Sequence, residues 1–258
     1  MIEIKHISWT ALKHFKRSPK HYLEYLAQKQ RIKQGLEKPT EAMILGSAFH
    51  CLVLEPEKFN EKFIVSPSFD RRTKDGKEAF ATFEKESEGK EILMQPAFEN
   101  AKNMAEATRF SAKKYIDGLQ AVEQELRWQH ESGISVLSYV DGIGGDYYVE
   151  LKSCQDASPV NFQRKAFYDG YIHQVSLYGE GIRRMTAPIP GFVIACESSR
   201  PYGVSINKVS EAMQEKYYRE VHHFINEFAE WAEEQPAGDY QYWEQFNGYY
   251  NWSYDPKK

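Results

Sequence analysis

The chain alternates between stretches with helical spacing of apolar residues and short apolar runs typical of strands. Helical spacing predicts helices in residues 8–29, 41–54, 96–116, 161–178 and 209–234. Apolar runs in residues 121–152, 190–195 and 202–206 predict strands. A helix-rich front, a sheet of about four to five strands and helices packed on that sheet predict an α/β domain.

Local composition refines three of these elements. Pro19 should split the first helix into two, because proline lacks the N–H that a helix interior needs. The small residues Gly46, Ser47 and Ala48 predict that the second helix is buried and closely packed. Residues 66–91 are rich in charge and poor in apolar side chains, which predicts an exposed loop that leads into a polar helix.

Composition excludes several classes of protein. The 258 residues are 41% hydrophobic and 27% charged, which is ordinary for a globular chain, and they contain no apolar run long enough to span a membrane. The N-terminus lacks the apolar segment of a signal peptide. The three cysteines, Cys51, Cys154 and Cys196, match no zinc or disulfide pattern, so we expect core thiols in a reducing cytoplasm. A net charge of −4 argues against binding nucleic acid by a basic surface alone, but it does not exclude a nuclease.

The richest chemistry lies between Asp141 and Lys152. Side chains alternate along a strand, so Glu150 and Lys152 should share one face. The glycines that follow Asp141 allow a hairpin that returns the chain and places Asp141 beside Glu150, with Asp146 left at the tip. Two carboxylates and an amine would then meet at one point, which suits a hard divalent cation. The same pattern also describes a solvated hairpin with a surface salt bridge.

Four segments together resemble the PD-(D/E)XK nuclease superfamily, and within it the RecE-type (exodeoxyribonuclease VIII-like) phage and prophage exonucleases. The resemblance extends from about Ser8 to Val204. One departure is Tyr139-Val140-Asp141, where the family often has Arg-Pro-Asp. The segments are Arg17–Tyr22, Leu45–Pro56 with its Leu-Gly-x-x-x-His50 pattern, Asp141–Lys152, and Gln174–Tyr178, similar to a Gln-x-x-x-Tyr motif.

The resemblance implies a restriction-endonuclease-like core, with a central mixed sheet flanked by helices and with helical additions at both ends. Residues 1–258 would form one nuclease domain. Its parts would be a helical front with the histidine motif (1–60), the catalytic sheet and helix (121–206), and a C-terminal helix with an aromatic tail (209–258).

The resemblance also implies residue roles. Asp141, Glu150 and the carbonyl of Leu151 would bind Mg²⁺, for which Mn²⁺ would substitute. Lys152 would orient the attacking water or stabilise negative charge. Gln174 and Tyr178, which share a helix face, would contact the scissile phosphate or position Lys152.

Three further candidates keep an alternative open. His50 lies in an apolar helix, where a lone histidine is more often a core group, but the family's helix histidine approaches the metal. Glu123 or Glu125 would supply an additional acid near the metal, with Glu123 slightly favoured, and either fits a solvated strand position equally well.

Basic and aromatic residues suggest contacts with DNA. Arg71, Arg72, Lys74, Lys77 and Arg164 would contact its backbone, although charged loops are often only solvated. Tyrosine, tryptophan and phenylalanine residues crowd the tail from Tyr240 to Tyr254. They could stack on single-stranded bases, pack on a partner, or pack on their own domain.

These observations predict a metal-dependent DNA exonuclease that leaves 5′-phosphates. The resemblance further implies 5′-to-3′ digestion of double-stranded ends, a ring-shaped homo-oligomer (trimer or tetramer), and a single-strand annealing recombinase as partner in phage-type recombination in the host cytoplasm. Two alternatives stay open: an endonuclease or single-strand nuclease of the same fold in repair or defence, and a non-catalytic nucleic-acid-binding module.

Overall fold

The computed structural model describes residues 6–234, and the aromatic tail from Tyr240 lies outside them. The helices are α1 (Trp9–Arg17), α2 (Pro19–Lys33), α3 (Glu41–Leu54), α4 (Phe59–Lys62), α5 (Lys74–Glu86), α6 (Gln95–Ser111), α7 (Lys113–Asp117), α8 (Pro159–Tyr168), α9 (Tyr171–Met185) and α10 (Glu211–Glu234). The strands are β1 (Phe63–Ser66), β2 (Glu91–Met94), β3 (Leu119–Gln129), β4 (Ser135–Gly144), β5 (Tyr148–Cys154), β6 (Gly191–Glu197) and β7 (Val204–Val209).

The main sheet has five strands in the order β3-β4-β5-β6-β7. All its neighbours are antiparallel except β5 and β6, which run parallel and are joined through α8 and α9. A parallel pair needs such a crossover because a tight turn cannot return the chain to the same end of the sheet. The structure confirms the expected mixed sheet flanked by helices.

The sheet buries both of its faces. Phe49 of α3 and Met104 of α6 pack with Val149 and Leu151 of β5 in one cluster. In a second cluster, on the other face, Tyr148 and Val193 pack with residues of α8 and α9. Alternate residues of β5 therefore belong to different layers, and Glu150 and Lys152 are oriented with Tyr148 rather than with Val149. The three cysteines are free and buried, which confirms their predicted place in the core.

A third cluster covers the far side of α9. Trp9 and Leu12 of α1, Leu177 of α9, and Val221 and Phe228 of α10 form its centre. Ser8 and Ser18 cap α1 and α2 through their hydroxyl groups, so the split at Pro19 is confirmed. In the part of the chain that the structure describes, no helix combines the length and the apolar content needed to cross a membrane.

Two details of the predicted elements are wrong. Residues 161–178 do not form one helix, because the chain breaks between α8 and α9 at Gly170, whose φ is +75°. The prediction for residues 66–91 included a loop and a helix but no strand. The segment in fact ends at β2, which pairs in parallel with β1 as a separate two-stranded sheet. Both strands have only four residues, too few to show a clear period-two pattern.

Candidate metal and catalytic site

Asp141 is held between β5 and α3. Gly142 pairs with Val149, so Asp141 follows the same register opposite Glu150. The Leu151 N–H donates to Asp141 Oδ2 at 2.6 Å, and His50 Nδ1 lies 3.4 Å from Asp141 Oδ1. Asp141 is buried. The hairpin therefore fixes one carboxylate oxygen by a backbone bond and directs the other to the histidine of α3.

Glu150 is buried opposite Asp141, and only one of its two carboxylate oxygens accepts hydrogen bonds. Its Oε1 accepts hydrogen bonds from Lys152 Nζ and from Gln174 Nε2, the latter at 2.9 Å. Its Oε2 is buried without a hydrogen-bond partner among the described residues. A buried carboxylate oxygen without a partner is costly unless a ligand or cation satisfies it.

Glu123 completes a group of possible metal ligands with His50 and Asp141. The ligand atoms of the three residues lie within 4.8 Å of one another. Val122 pairs with Gly142 and Gln124 with Val140, so Glu123 stands opposite Asp141 in the ladder. Its φ is +48°, a left-handed value that a glutamate rarely adopts. Such backbone strain is often retained where a functional geometry requires it.

The acidic groups of the site repel one another. Burial, and then the charge of Asp141, raises the pKa of Glu150 to about 7. The same two causes in the same order raise the pKa of Glu123. Each carboxyl group therefore holds a proton more tightly than usual, as expected for desolvated acids close to another negative charge.

The basic groups respond in the opposite sense. Burial would lower the pKa of Lys152, but the charges of Glu150 and Asp141 outweigh it, so that pKa is raised. Burial would likewise lower the pKa of His50, but the charge of Asp141 outweighs it and raises that pKa too. Burial also opposes the charged form of Asp141, yet His50, and then Lys152, hold its pKa below the usual value. Lys152 is thus a half-buried ammonium ion, and Asp141 a carboxylate.

This donor set fits a divalent cation. Carboxylate oxygens are the ligands that Mg²⁺ and Mn²⁺ prefer, and an imidazole adds affinity for Mn²⁺. The N–H and C=O groups of one strand residue point to the same neighbouring strand. The Leu151 N–H is bonded to Asp141 of β4, so the Leu151 carbonyl is also directed to β4. The structure thus brings the ligand atoms of His50, Glu123 and Asp141 together. Glu150 and Leu151 lie outside this group of ligand atoms, on the part of β5 that faces Asp141.

Gln174 and Tyr178 lie over the same carboxylate. Tyr148 donates from its hydroxyl to the Val175 carbonyl at 2.7 Å, which ties α9 to β5 and brings the adjacent Gln174 to Glu150. Gln174 Nε2 also donates to Tyr178 Oη at 2.6 Å. Lys152 Nζ lies 5.0 Å from the ring centre of Tyr171. Gln174 thus touches Glu150 directly, whereas Tyr178 acts on it through Gln174.

Glu125 and the expected DNA-binding residues lie outside this group. Glu125 is bonded to Tyr139 and Arg127. Arg72 pairs with Asp70 and Lys74 with Glu78, and Arg71 stacks on Phe80. Arg164 is exposed on α8, so the helix break separates it from the helix of Gln174.

The three-residue group opens into a cavity of about 1120 Å³, which we call the acidic cavity. Its wall also carries Lys33, Lys62 and Lys90, none of which the sequence singled out. Lys62 binds the buried Glu55 at 2.8 Å. Glu55, a charged residue directly after the apolar helix α3, is the one sequence signal that points to this wall.

Comparisons with known proteins agree with this fold. A family model described as a PDDEXK-like domain of unknown function (DUF3799) matches residues 8–241. The crystal structure of a candidate exonuclease from Eubacterium rectale is similar, with a TM-score of 0.60 and 13% sequence identity over 90% of this chain and 84% of that one. No curated protein matches the chain.

Proposed function

Because the chain belongs to the family described as a PDDEXK-like domain of unknown function (DUF3799), we propose that it is a metal-dependent deoxyribonuclease. Two observations together carry the proposal: the ligand atoms of His50, Glu123 and Asp141 lie within 4.8 Å of one another, and Glu150, opposite Asp141 in the sheet, has a buried Oε2 without a partner among the described residues. The ion pair of Glu150 with Lys152 uses only Oε1, whereas a cation would satisfy Oε2 as well. The left-handed backbone of Glu123, a member of this group, also supports a role in metal binding.

In this proposal His50, Glu123 and Asp141 hold a Mg²⁺ or Mn²⁺ ion, with Glu150 Oε2 and the Leu151 carbonyl as further oxygen ligands. When bound, the ion would lower the pKa of a water molecule and neutralise charge on the phosphate. Removing the ion with a chelator should therefore abolish hydrolysis.

Lys152 acts as a hydrogen-bond donor in the proposed reaction. Glu150 and Asp141 raise its pKa, which favours the protonated amine over a general base. An ammonium ion held in this way can orient the attacking water or stabilise charge that develops on a phosphate oxygen. Gln174 fixes Glu150 Oε1 from the opposite side, so that Lys152 and Glu150 are held in one orientation.

We further propose that the enzyme is an exonuclease of the RecE type, with 5′-to-3′ action on double-stranded ends, 5′-phosphate products, and a role in phage-type recombination. The supports are the four sequence segments and the fold shared with a candidate exonuclease. A ring-shaped homo-oligomer and a single-strand annealing partner belong to the same proposal.

The test compares one plasmid in closed-circular and linear form, with Mg²⁺ or with EDTA. We expect Mg²⁺-dependent loss of the linear DNA alone, and release of nucleotides from a 5′-labelled end before a 3′-labelled end. Efficient cutting of closed circles would overturn the exonuclease proposal but retain the nuclease. Glu150→Ala should abolish degradation while circular dichroism shows an intact fold, and undiminished degradation by that variant would remove the proposed mechanism.

A further inference from the structure

A second cavity, which we call the apolar cavity, lies beside the acidic cavity. Its volume is about 1190 Å³, above the range of about 300–1000 Å³ usual for small-molecule sites. Residues from α3, α5, β2 and α6 line it. The size suits a segment of an extended polymer better than a single small ligand.

The floor of the apolar cavity is hydrophobic. Six side chains supply most of it: Ile44, Leu45, Phe80, Ile92, Met94 and Ala97. Met94 is 36% exposed. A floor of this kind can cover flat apolar groups that would otherwise remain in water.

Cations outnumber acids around that floor. Arg71, Lys77 and Lys90 line the cavity, and within residues 6–234 neither Arg71 nor Lys77 has an ion-pair partner. A further lysine of the lining, Lys38, is neutralised by Glu84. The remaining acids of the lining are Glu41 and Glu91. The lining therefore suits a ligand that combines negative charge with apolar surface.

Arg71 is built as a stacking surface. Its guanidinium carbon lies 4.3 Å from the ring centre of Phe80, and the residue is exposed. Phe80 is itself buried, and its ring contacts that of Phe69. One face of the guanidinium group is thus held against a fixed ring while solvent reaches the residue, an arrangement that favours stacking of a nucleic-acid base.

The two cavities share a wall. Lys90 and Glu91, at the start of β2, line both of them. A chain that lies in the apolar cavity can therefore continue past Lys90 toward His50, Glu123 and Asp141.

We propose that the apolar cavity binds a single strand of DNA next to the acidic cavity, with bases on the apolar floor and on Arg71 and with phosphates near Lys77 and Lys90. The inference rests on the proposed nuclease function. A duplex would not use this floor, because its bases are already stacked and paired. Exposed bases of a single strand match an apolar floor with a basic rim.

The test uses a fluorescein-labelled oligo(dT) in EDTA, so that binding is measured by anisotropy without degradation. Arg71→Ala/Lys77→Ala should weaken binding by about five- to tenfold and reduce the slope of log K against log salt by about 0.7, as expected when the one phosphate contact of Lys77 is lost. The matched control is Arg72→Ala/Lys74→Ala, which removes the same charges from neighbouring positions that are already paired with Asp70 and Glu78. It should change binding by less than about twofold.

A second matched pair tests the floor without disturbing the core. Ala81 and Thr82 are both exposed on α5, but only Ala81 lines the cavity. Ala81→Glu should weaken oligo(dT) binding, and Thr82→Glu should not. Equal effects within either pair, or no binding by the unmodified protein, would overturn the proposal.

Degradation assays separate this proposal from the nuclease proposal. If no DNA is degraded with any divalent cation, the nuclease function fails, while the anisotropy results still decide whether the apolar cavity binds a single strand. If degradation is normal but Arg71→Ala/Lys77→Ala binds oligo(dT) as the unmodified protein does, the apolar cavity is excluded as the single-strand site.

Discussion

Glu123 stands opposite Asp141 in the β3–β4 ladder, and their carboxylates lie within 4.8 Å although Glu123 must adopt a φ of +48°. Two acids at this distance repel each other, and the pKa of Glu123 is raised by desolvation, to which the charge of Asp141 adds. A divalent cation relieves that repulsion. We therefore infer that the unusual backbone at Glu123 serves cation binding.

Glu123→Gln should weaken Mn²⁺ binding by at least about tenfold, because it replaces a charged ligand with a neutral one of the same shape. Isothermal titration calorimetry measures the change. Glu125→Gln is the control, since Glu125 lies on the same strand but is bonded to Tyr139 and Arg127. Equal losses in the two variants would mean that Glu123 is no ligand.

The sequence predicts the layout of this fold because its elements have strong local signals. The sheet, its flanking helices and the division at Pro19 follow from periodicity and from proline chemistry. The break at Gly170 does not, because a glycine inside an otherwise helical pattern is compatible with a continuous helix. The decisive contact is with Trp9, more than a hundred residues away along the chain.

The site is harder to predict than the fold. Alternation along β5 places Glu150 and Lys152 on one face, and the hairpin brings Asp141 to them. A pattern could not separate Glu123 from Glu125, because the choice depends on the ladder register and on a left-handed backbone. The lysines of the acidic cavity come from distant segments, so local sequence gave no reason to group them.

Divalent cation binding should depend on pH with a midpoint near the raised pKa of Glu150, about 7. Below this pH the carboxyl group is protonated in the metal-free protein, and a cation must displace that proton. Mn²⁺ affinity should therefore rise by about tenfold per pH unit for each displaced proton below pH 7. It should level off once Glu150, and the ligands Glu123 and His50 whose pKa values are also raised, have lost their protons. Calorimetry in buffers of different ionisation enthalpy counts the protons released. An affinity that is constant between pH 5.5 and 8 would contradict the competition between proton and cation.

Lys152→Met should lower kcat by about 10²–10³-fold, because the variant keeps the volume of the side chain and loses the ammonium group. Lys152 also lowers the pKa of Glu150, so the midpoint of Mn²⁺ binding should move to higher pH in the variant. Lys165→Met is the control, since Lys165 is paired with Asp169 on α8. A reduced kcat without any shift in the binding midpoint would show that Lys152 does not act on Glu150.

Gln174 and Tyr178 should differ in their effects. Gln174→Ala removes a hydrogen bond to Glu150 and should lower kcat by about tenfold or more, corresponding to about 1.4 kcal/mol of lost stabilisation. Tyr178→Phe removes only the acceptor of a second bond from Gln174. It should cost about 1 kcal/mol of unfolding free energy and change kcat by less than Gln174→Ala does. Steady-state kinetics and urea unfolding of both variants test the order, and a larger kcat loss in Tyr178→Phe would assign the direct role to the phenol.

Gly170→Ala should destabilise the protein more than Gly35→Ala does, although both glycines have a φ near +70°. An added Cβ at Gly170 would lie 2.6 Å from Trp9 Cζ2, whereas nothing lies within 4 Å at Gly35. Backbone strain alone should cost about 1 kcal/mol at either position, and the clash should add about 1–3 kcal/mol at Gly170. Trp9 stacks on His173, the neighbour of Gln174, so Gly170→Ala should also lower kcat. Equal unfolding free energies for the two variants in urea titrations would show that the contact with Trp9 does not fix the break between α8 and α9.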